Sequence, residues 1–276
     1  MGALQPTLAE AAAAAELIQE RRRENPDLAI TRGEAEALLV LDRLQPDASA
    51  TWRSYVAGAI ARHLASIESA ETISDDDWYW LLAAVAPSGR IETVAGFETL
   101  IHAMEMTRES PPSLAIFVLQ QFKAAIINGE GPAIGSRAHF SRTIDAEDTA
   151  LLYRILIAAG GAIGKTVSRA EADALFDLHD AAARSKNDPD FDGLFVRAIE
   201  HHLLGAATGV KRSIALAPQD HGQSEHRPDA EHAAWLSKRI MRDGRPTAAE
   251  HALLRLIGAQ PVQPNSSVRR LLDSAA

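Results

Sequence analysis

The sequence predicts an all-α fold, a tandem duplication of a roughly six-helix domain with little or no β-sheet. Three observations carry that prediction. Hydrophobic residues make up 46% of the 276 but aromatics only 5%, so the core has to be built from Ala, Leu, Ile and Val, and Ala and Leu are strong helix formers. One segment occurs twice: Ile30-Thr31-Arg32-Gly33-Glu34-Ala35-Glu36-Ala37-Leu38-Leu39-Val40-Leu41 aligns with Val167-Ser168-Arg169-Ala170-Glu171-Ala172-Asp173-Ala174-Leu175-Phe176-Asp177-Leu178. Helix-start chemistry also recurs along the chain. Thr7-x-x-Glu10, Thr31-x-x-Glu34, Ser168-x-x-Glu171 and Thr247-x-x-Glu250 are capping boxes, in which a hydroxyl and a carboxylate satisfy the open backbone N–H groups of a first turn; Ser74-x-x-Asp77 is a weaker version.

The duplication extends beyond the first match. Trp52 aligns with Phe191, and Ala59-Ile60-Ala61-Arg62-His63-Leu64 with Ala198-Ile199-Glu200-His201-His202-Leu203. Trp80-Leu81 pairs with Trp235-Leu236, Ser88-Gly89-Arg90 with Asp243-Gly244-Arg245, and Pro111-Pro112-Ser113 with Pro264-Asn265-Ser266. Extra residues fall between these blocks, where loops absorb them. Apolar residues follow the caps at helical spacing, as in Leu38, Leu41 and Leu44, repeated by Leu175 and Leu178. The first copy, 7–128, is expected to hold helices near 7–24, 31–44, 50–67, 75–86, 93–106 and 112–128. Gly129, Gly131, Pro132 and Gly135 mark 129–142 as a linker. The second copy, 143–276, is expected to hold helices near 145–160, 168–183, 189–205, 229–242, 247–258 and 266–274. Its long polar stretch from Gly205 to Pro228 replaces the short Ser66 to Ile73 crossing of the first copy, and an insertion in one copy is a place for specialised function.

Charge and composition narrow the function. The formal net charge is −9, and the one dense basic run, Arg21-Arg22-Arg23, sits where a helix ends and suits its dipole; a protein or cation partner fits better than nucleic acid. The absence of cysteine excludes disulfides, thiolate zinc sites and a cysteine nucleophile. Met1 to Pro6 does not read as a signal peptide, and the most apolar run, Leu114 to Leu119, is too short for a membrane span, so a cytoplasmic protein is expected.

Candidate sites are few. Gly164-Lys165-Thr166 has the end of a P-loop, but Ala159 stands where its first glycine belongs and a helix, not a strand, precedes it. Asp188-Pro189-Asp190-Phe191-Asp192-Gly193 has the opening spacing of a calcium loop, with Ile199 where the bidentate Glu belongs; Asp188 and Pro189 also suit a helix start. His221, His226 and His232, with Asp220, Glu225 and Glu231, are zinc- or nickel-type ligands around the long loop. His63 and His202 are equivalent and read as core-edge histidines bonded to backbone, a catalytic pair being the alternative. In Trp78-Tyr79-Trp80 the outer two point about 200° apart on a helix. Trp80, matched by Trp235, is expected in the core, and Trp78 and Tyr79, matched by Ala233 and Ala234, on a face covered by something else.

Gly164-Lys165-Thr166-Val167-Ser168-Arg169-Ala170-Glu171 and Asp243-Gly244-Arg245-Pro246-Thr247-Ala248-Ala249-Glu250 resemble the helix-pair turn of tellurite-resistance TerB-like domains. The resemblance implies a helical, metal-responsive, stress-associated interaction module; the acidic residue before the turn glycine is present only at Asp243. The chain is also similar to a class of bacterial helical proteins, which implies no function. Taken together, the sequence points to a non-catalytic adaptor or scaffold without a cofactor, binding another protein through Trp78, Tyr79 and the Gly205–Pro228 loop. A metal-binding stress module using Asp188, Asp190 and Asp192 or His221 and His226 is the alternative, and an enzyme with a site between the copies is the third reading.

Overall fold

The structure is a computed structural model that describes residues 8–25, 29–45, 49–67, 73–108, 110–132, 141–160, 167–208, 230–242 and 246–258. The fold is all-α: eleven helices and no strand among the described residues. The chain divides into two compact units, Met1–Phe140 and Ser141–Ala276. The first holds α1 (Leu8–Glu24), α2 (Arg32–Arg43), α3 (Ala50–Ile67), α4 (Asp75–Val85), α5 (Val94–Met106) and α6 (Pro112–Asn128). The second holds α7 (Ala146–Gly160), α8 (Arg169–Ala182), α9 (Pro189–Thr208), α10 (Ala230–Ile240) and α11 (Ala248–Gly258). The helix expected at 266–274 and the Thr7 cap lie outside the described residues.

Local chemistry sets the helix starts. Thr31 and Glu34 form a reciprocal box on α2, with the Thr31 N–H donating to Glu34 Oε2 at 2.7 Å and the Glu34 N–H to Thr31 Oγ1 at 3.3 Å. Ser168 and Glu171 repeat those two distances on α8. Thr247 and Glu250 do the same on α11 at 2.7 and 3.2 Å. Ile30 and Val167, one residue ahead of their caps, are buried. Asp145 and Asp148 form a further reciprocal pair at the start of α7, both bonds 3.0 Å, with aspartate in both roles. Gly129 ends α6 at φ 71°, a left-handed position that glycine takes without a Cβ penalty.

Each unit closes around its own apolar centre. In the first, α3 packs on α5 and α2, α1 on α2, and α5 on α6, burying Leu38, Ile60, Leu81, Phe97, Leu100 and Phe122 completely. In the second, α9 takes the central place against α11, α8 and α7, around Leu175, Phe176, Phe191, Phe195 and Leu253. No helix among the described residues is long and apolar enough to cross a membrane.

Two expectations about side chains are corrected. Leu44 is not on the buried stripe: it is the C-cap of α2 and 52% exposed. In α4 the inward positions are Trp78, Leu81 and Val85, spaced i, i+3, i+7. Trp78 is therefore a core residue, its ring edge-on to Phe117 of α6 at 5.9 Å, while Tyr79 is 67% exposed and Trp80 is half-buried on the flank facing α2. Trp78→Ala is expected to destabilise the first unit by about 3–5 kcal/mol, whereas Tyr79→Ala changes stability by no more than about 0.5 kcal/mol. Denaturant titration of the two variants checks this, and equal losses would contradict it.

Candidate functional site

The two units hold the same polar cluster at the positions the sequence repeat makes equivalent. In the first, the indole N–H of Trp80 donates to Glu36 Oε1 at 2.7 Å, the Arg32 guanidinium lies over the ring at 4.6 Å, and His63 meets it edge-on at 5.9 Å. In the second, the indole N–H of Trp235 donates to Asp173 Oδ1 at 2.9 Å, Arg169 covers the ring at 4.2 Å, and His202 meets it edge-on at 5.1 Å. Arg and the acid are one turn apart on α2 and α8, so both reach the same tryptophan on α4 or α10. The histidine comes from α3 or α9 and anchors the strand-like entry to the capping box. His202 Nδ1 donates to the Val167 carbonyl at 2.8 Å, and His63 bonds the backbone of Ile30.

This geometry makes both histidines structural. Burial pushes the pKa of His63 and of His202 below the ordinary 6.5, against the raising effect of the backbone bond. Burial favours the neutral ring, whose one N–H is enough to serve the carbonyl.

The second unit adds charge to its cluster. Arg239 of α10 donates through Nε to Asp173 Oδ1 at 2.9 Å, through Nη1 to Asp177 Oδ1 at 3.0 Å and through Nη2 to the Asp173 carbonyl at 3.0 Å. Arg242 donates to Asp177 at 3.1 Å and pairs with Asp180 at 3.6 Å. Burial pushes the Asp173 carboxyl up, but the Trp235 N–H and the Arg239 guanidinium outweigh it and hold the group below the usual carboxylate value. Arg239 is held above its ordinary value because Asp173 and Asp177 outweigh its own desolvation. These residues line an open groove of about 930 Å³, with Trp235 and Ala234 as apolar floor, Arg169, Lys238, Arg239 and Arg242 as cations, and Asp173, Asp177 and Glu231 as anions. Among the described residues no serine, threonine or histidine lines it.

The residues singled out in the sequence are placed as follows. Asp188 stands at the start of α9, where its Oδ1 accepts the Asp190 N–H at 3.4 Å; Asp190 and Asp192 are exposed on the first helical turn. Residues that a calcium loop needs in an open coil are thus already helical. His221, His226 and Gly164-Lys165-Thr166 lie outside the described residues, and His232 sits on α10 with its ring 5.2 Å from His202. The one group of three metal-type ligands among the described residues is elsewhere: His179, Asp180 and Glu250, each offering an atom within 4.8 Å of the others. The sequence hid it because Glu250 reads completely as the acid of a capping box.

No family model, curated protein or solved structure matches this chain.

Burial holds His179, like His63 and His202, below the ordinary 6.5. The unfolded chain takes up a proton on each below that pH and the folded chain does not. The stability they contribute is therefore complete above about pH 6.5 and is lost as the pH falls toward their folded values, with a slope of at most about 1.4 kcal/mol per pH unit per group. Melting temperature is expected to drop between about pH 7.5 and 5.5, and to drop less in His202→Asn, which keeps a donor for Val167. A flat profile in the parent chain would contradict the assignment.

Proposed function

We propose that the chain is a non-catalytic cytoplasmic adaptor made of two copies of one helical unit, and that the groove of the second copy receives a segment of another protein. The observation that carries this reading is the difference between the copies at the groove. Asp177, Lys238, Arg239 and Arg242 stand where the first copy has Val40, Ala83, Ala84 and Pro87 in the aligned sequence. The shared Arg–Trp–acid–His cluster serves the unit itself. The added charges tie α10 to α8 in the second unit alone, and they also give its groove a charged rim that the apolar side chains of the first unit do not.

The chemistry of the groove favours a mixed-charge peptide. Arg239 and Arg242 are balanced by carboxylates at 2.8–3.1 Å, Asp173, Asp177 and Glu231 put negative charge in the same lining, and the chain as a whole is acidic, which disfavours a polyanion. Arginine beside tryptophan is the pairing most often found where interface energy concentrates. Paired rims fix register and partner choice more than raw affinity. The likeness to TerB-like interaction modules is part of this proposal and adds the expectation of a stress-associated setting.

A photo-cross-linking residue placed at Lys238 is expected to trap a protein partner in cells with at least tenfold higher yield than the same residue at Tyr79, which is as exposed but belongs to the first unit. A higher yield from Tyr79, or none from Lys238, would overturn the assignment of the surface.

A further inference from the structure

We propose that the second unit carries a binding site for a divalent first-row metal ion, Zn²⁺ by its donor chemistry, formed by His179 and Asp180 of α8 and Glu250 of α11. This goes beyond the groove reading and does not depend on it. One ring nitrogen and two carboxylate oxygens, all within 4.8 Å of one another, form the donor set. Ligand atoms around a tetrahedral ion bound at about 2.0–2.2 Å stand roughly 3.4 Å apart, so the three need to close in by about an ångström. One imidazole with two carboxylates suits Zn²⁺ and its neighbours; Ca²⁺ asks for six to eight oxygens, which these side chains do not supply.

Burial gives the second, independent observation. His179 is 4% exposed and Glu250 3%. The His179 ring is clamped by stacking on Phe195, centroids 4.2 Å apart and planes 11° apart. Its Nε2 faces Asp192 Oδ1 at 3.7 Å, while its Nδ1 is buried without a hydrogen-bond partner among the described residues. A buried imidazole clamped by stacking, with a ring nitrogen that lacks a hydrogen-bond partner, in a residue grouped with two carboxylates, is prepared to take a metal ion. The capping contacts of Glu250 both fall on Oε2, at 2.7 Å from the Thr247 N–H and 2.9 Å from its hydroxyl, which leaves Oε1 outside the capping box. Asp180 Oδ2 lies 3.6 Å from Arg242 Nη1, and that arginine, 56% exposed, keeps its shorter contact to Asp177 if an ion takes Asp180.

The first unit shows what the same place looks like without the site. The aligned residues are Asp42 and Arg43 on α2, and the third residue after the α5 cap is Gly96. Asp42 is occupied by the indole N–H of Trp52 at 2.9 Å. In the second unit Phe191 replaces that tryptophan and donates nothing, so position 179 is released from the duty. Arg43 puts a cation where Asp180 stands, and donates to the Ala84 carbonyl. A Cβ on Gly96 would come within 2.9 Å of Val85 Cγ1, so no acid fits at the place of Glu250. All three donors are thus peculiar to the second copy, together with the loss of the indole donor that would have consumed one of them.

The test is metal titration of the full, untagged chain after chelator treatment, read by equilibrium dialysis and by melting temperature with Zn²⁺, Mn²⁺, Ca²⁺ and Mg²⁺ in turn. One Zn²⁺ per chain is expected, with a melting temperature that rises with Zn²⁺ concentration. Glu250→Gln, which preserves the capping box, and Asp180→Asn are each expected to weaken Zn²⁺ binding at least tenfold with unchanged helix content, while Asp190→Asn leaves it intact. These carboxamide variants carry the test because truncating the buried His179 would disturb folding. Absence of Zn²⁺ binding, a preference for Ca²⁺ or Mg²⁺, or binding that survives both carboxamide variants and is lost in His221→Ala/His226→Ala would overturn the proposal.

Discussion

An indole N–H drawn out of water has to find an acceptor, and in each unit the acceptor is a carboxylate one helix away: Glu36 for the half-buried Trp80 and Asp173 for the buried Trp235. That bond ties α4 to α2 and α10 to α8. The arginine one turn before each acid closes over the ring, and the histidine at its edge secures the carbonyl of the residue that precedes the capping box. One polar cluster thus fixes three helices and the entry into one of them. The apolar cores supply the burial, but Ala and Leu stripes specify relative helix position only loosely, and directional bonds are what select one arrangement.

The same cluster explains where the second unit was open to change. In the second unit Arg239 and Arg242 extend the lock through Asp173 and Asp177, and the same helix α8 carries the His179–Asp180 pair. The exchange of Trp52 for Phe191 is the clearest case. A tryptophan demands an acceptor at position 42; a phenylalanine makes no such demand at position 179, and histidine stands there.

Much of the helical framework was legible in the sequence because it is written in local chemistry. Thr31, Ser168 and Thr247 announce their helices through a partner three residues on, and such pairs need no knowledge of the fold. The equivalence of His63 and His202 was also legible, as was their backbone bonding. What could not be read was long-range. Trp78 and Trp80 differ only in which flank of α4 meets α6 and which meets α2, and a three-residue aromatic run does not say. The Trp235 and Arg239 bonds to α8 and the His179–Asp180–Glu250 group join residues more than sixty positions apart, and Glu250 already had a sufficient local explanation.

The central claim is that the tryptophan–carboxylate bond organises each unit, and a double-mutant cycle measures it directly. Asp173→Ala, Trp235→Phe and the double variant, compared by denaturant unfolding followed by circular dichroism, give the coupling between the two side chains free of their other contacts. The account predicts a coupling of about 1.5–3 kcal/mol, as for a bond with a charged acceptor, and the same sign for Glu36→Ala with Trp80→Phe. Additive losses in both units would contradict it, and would leave the cores alone to hold the helices in place.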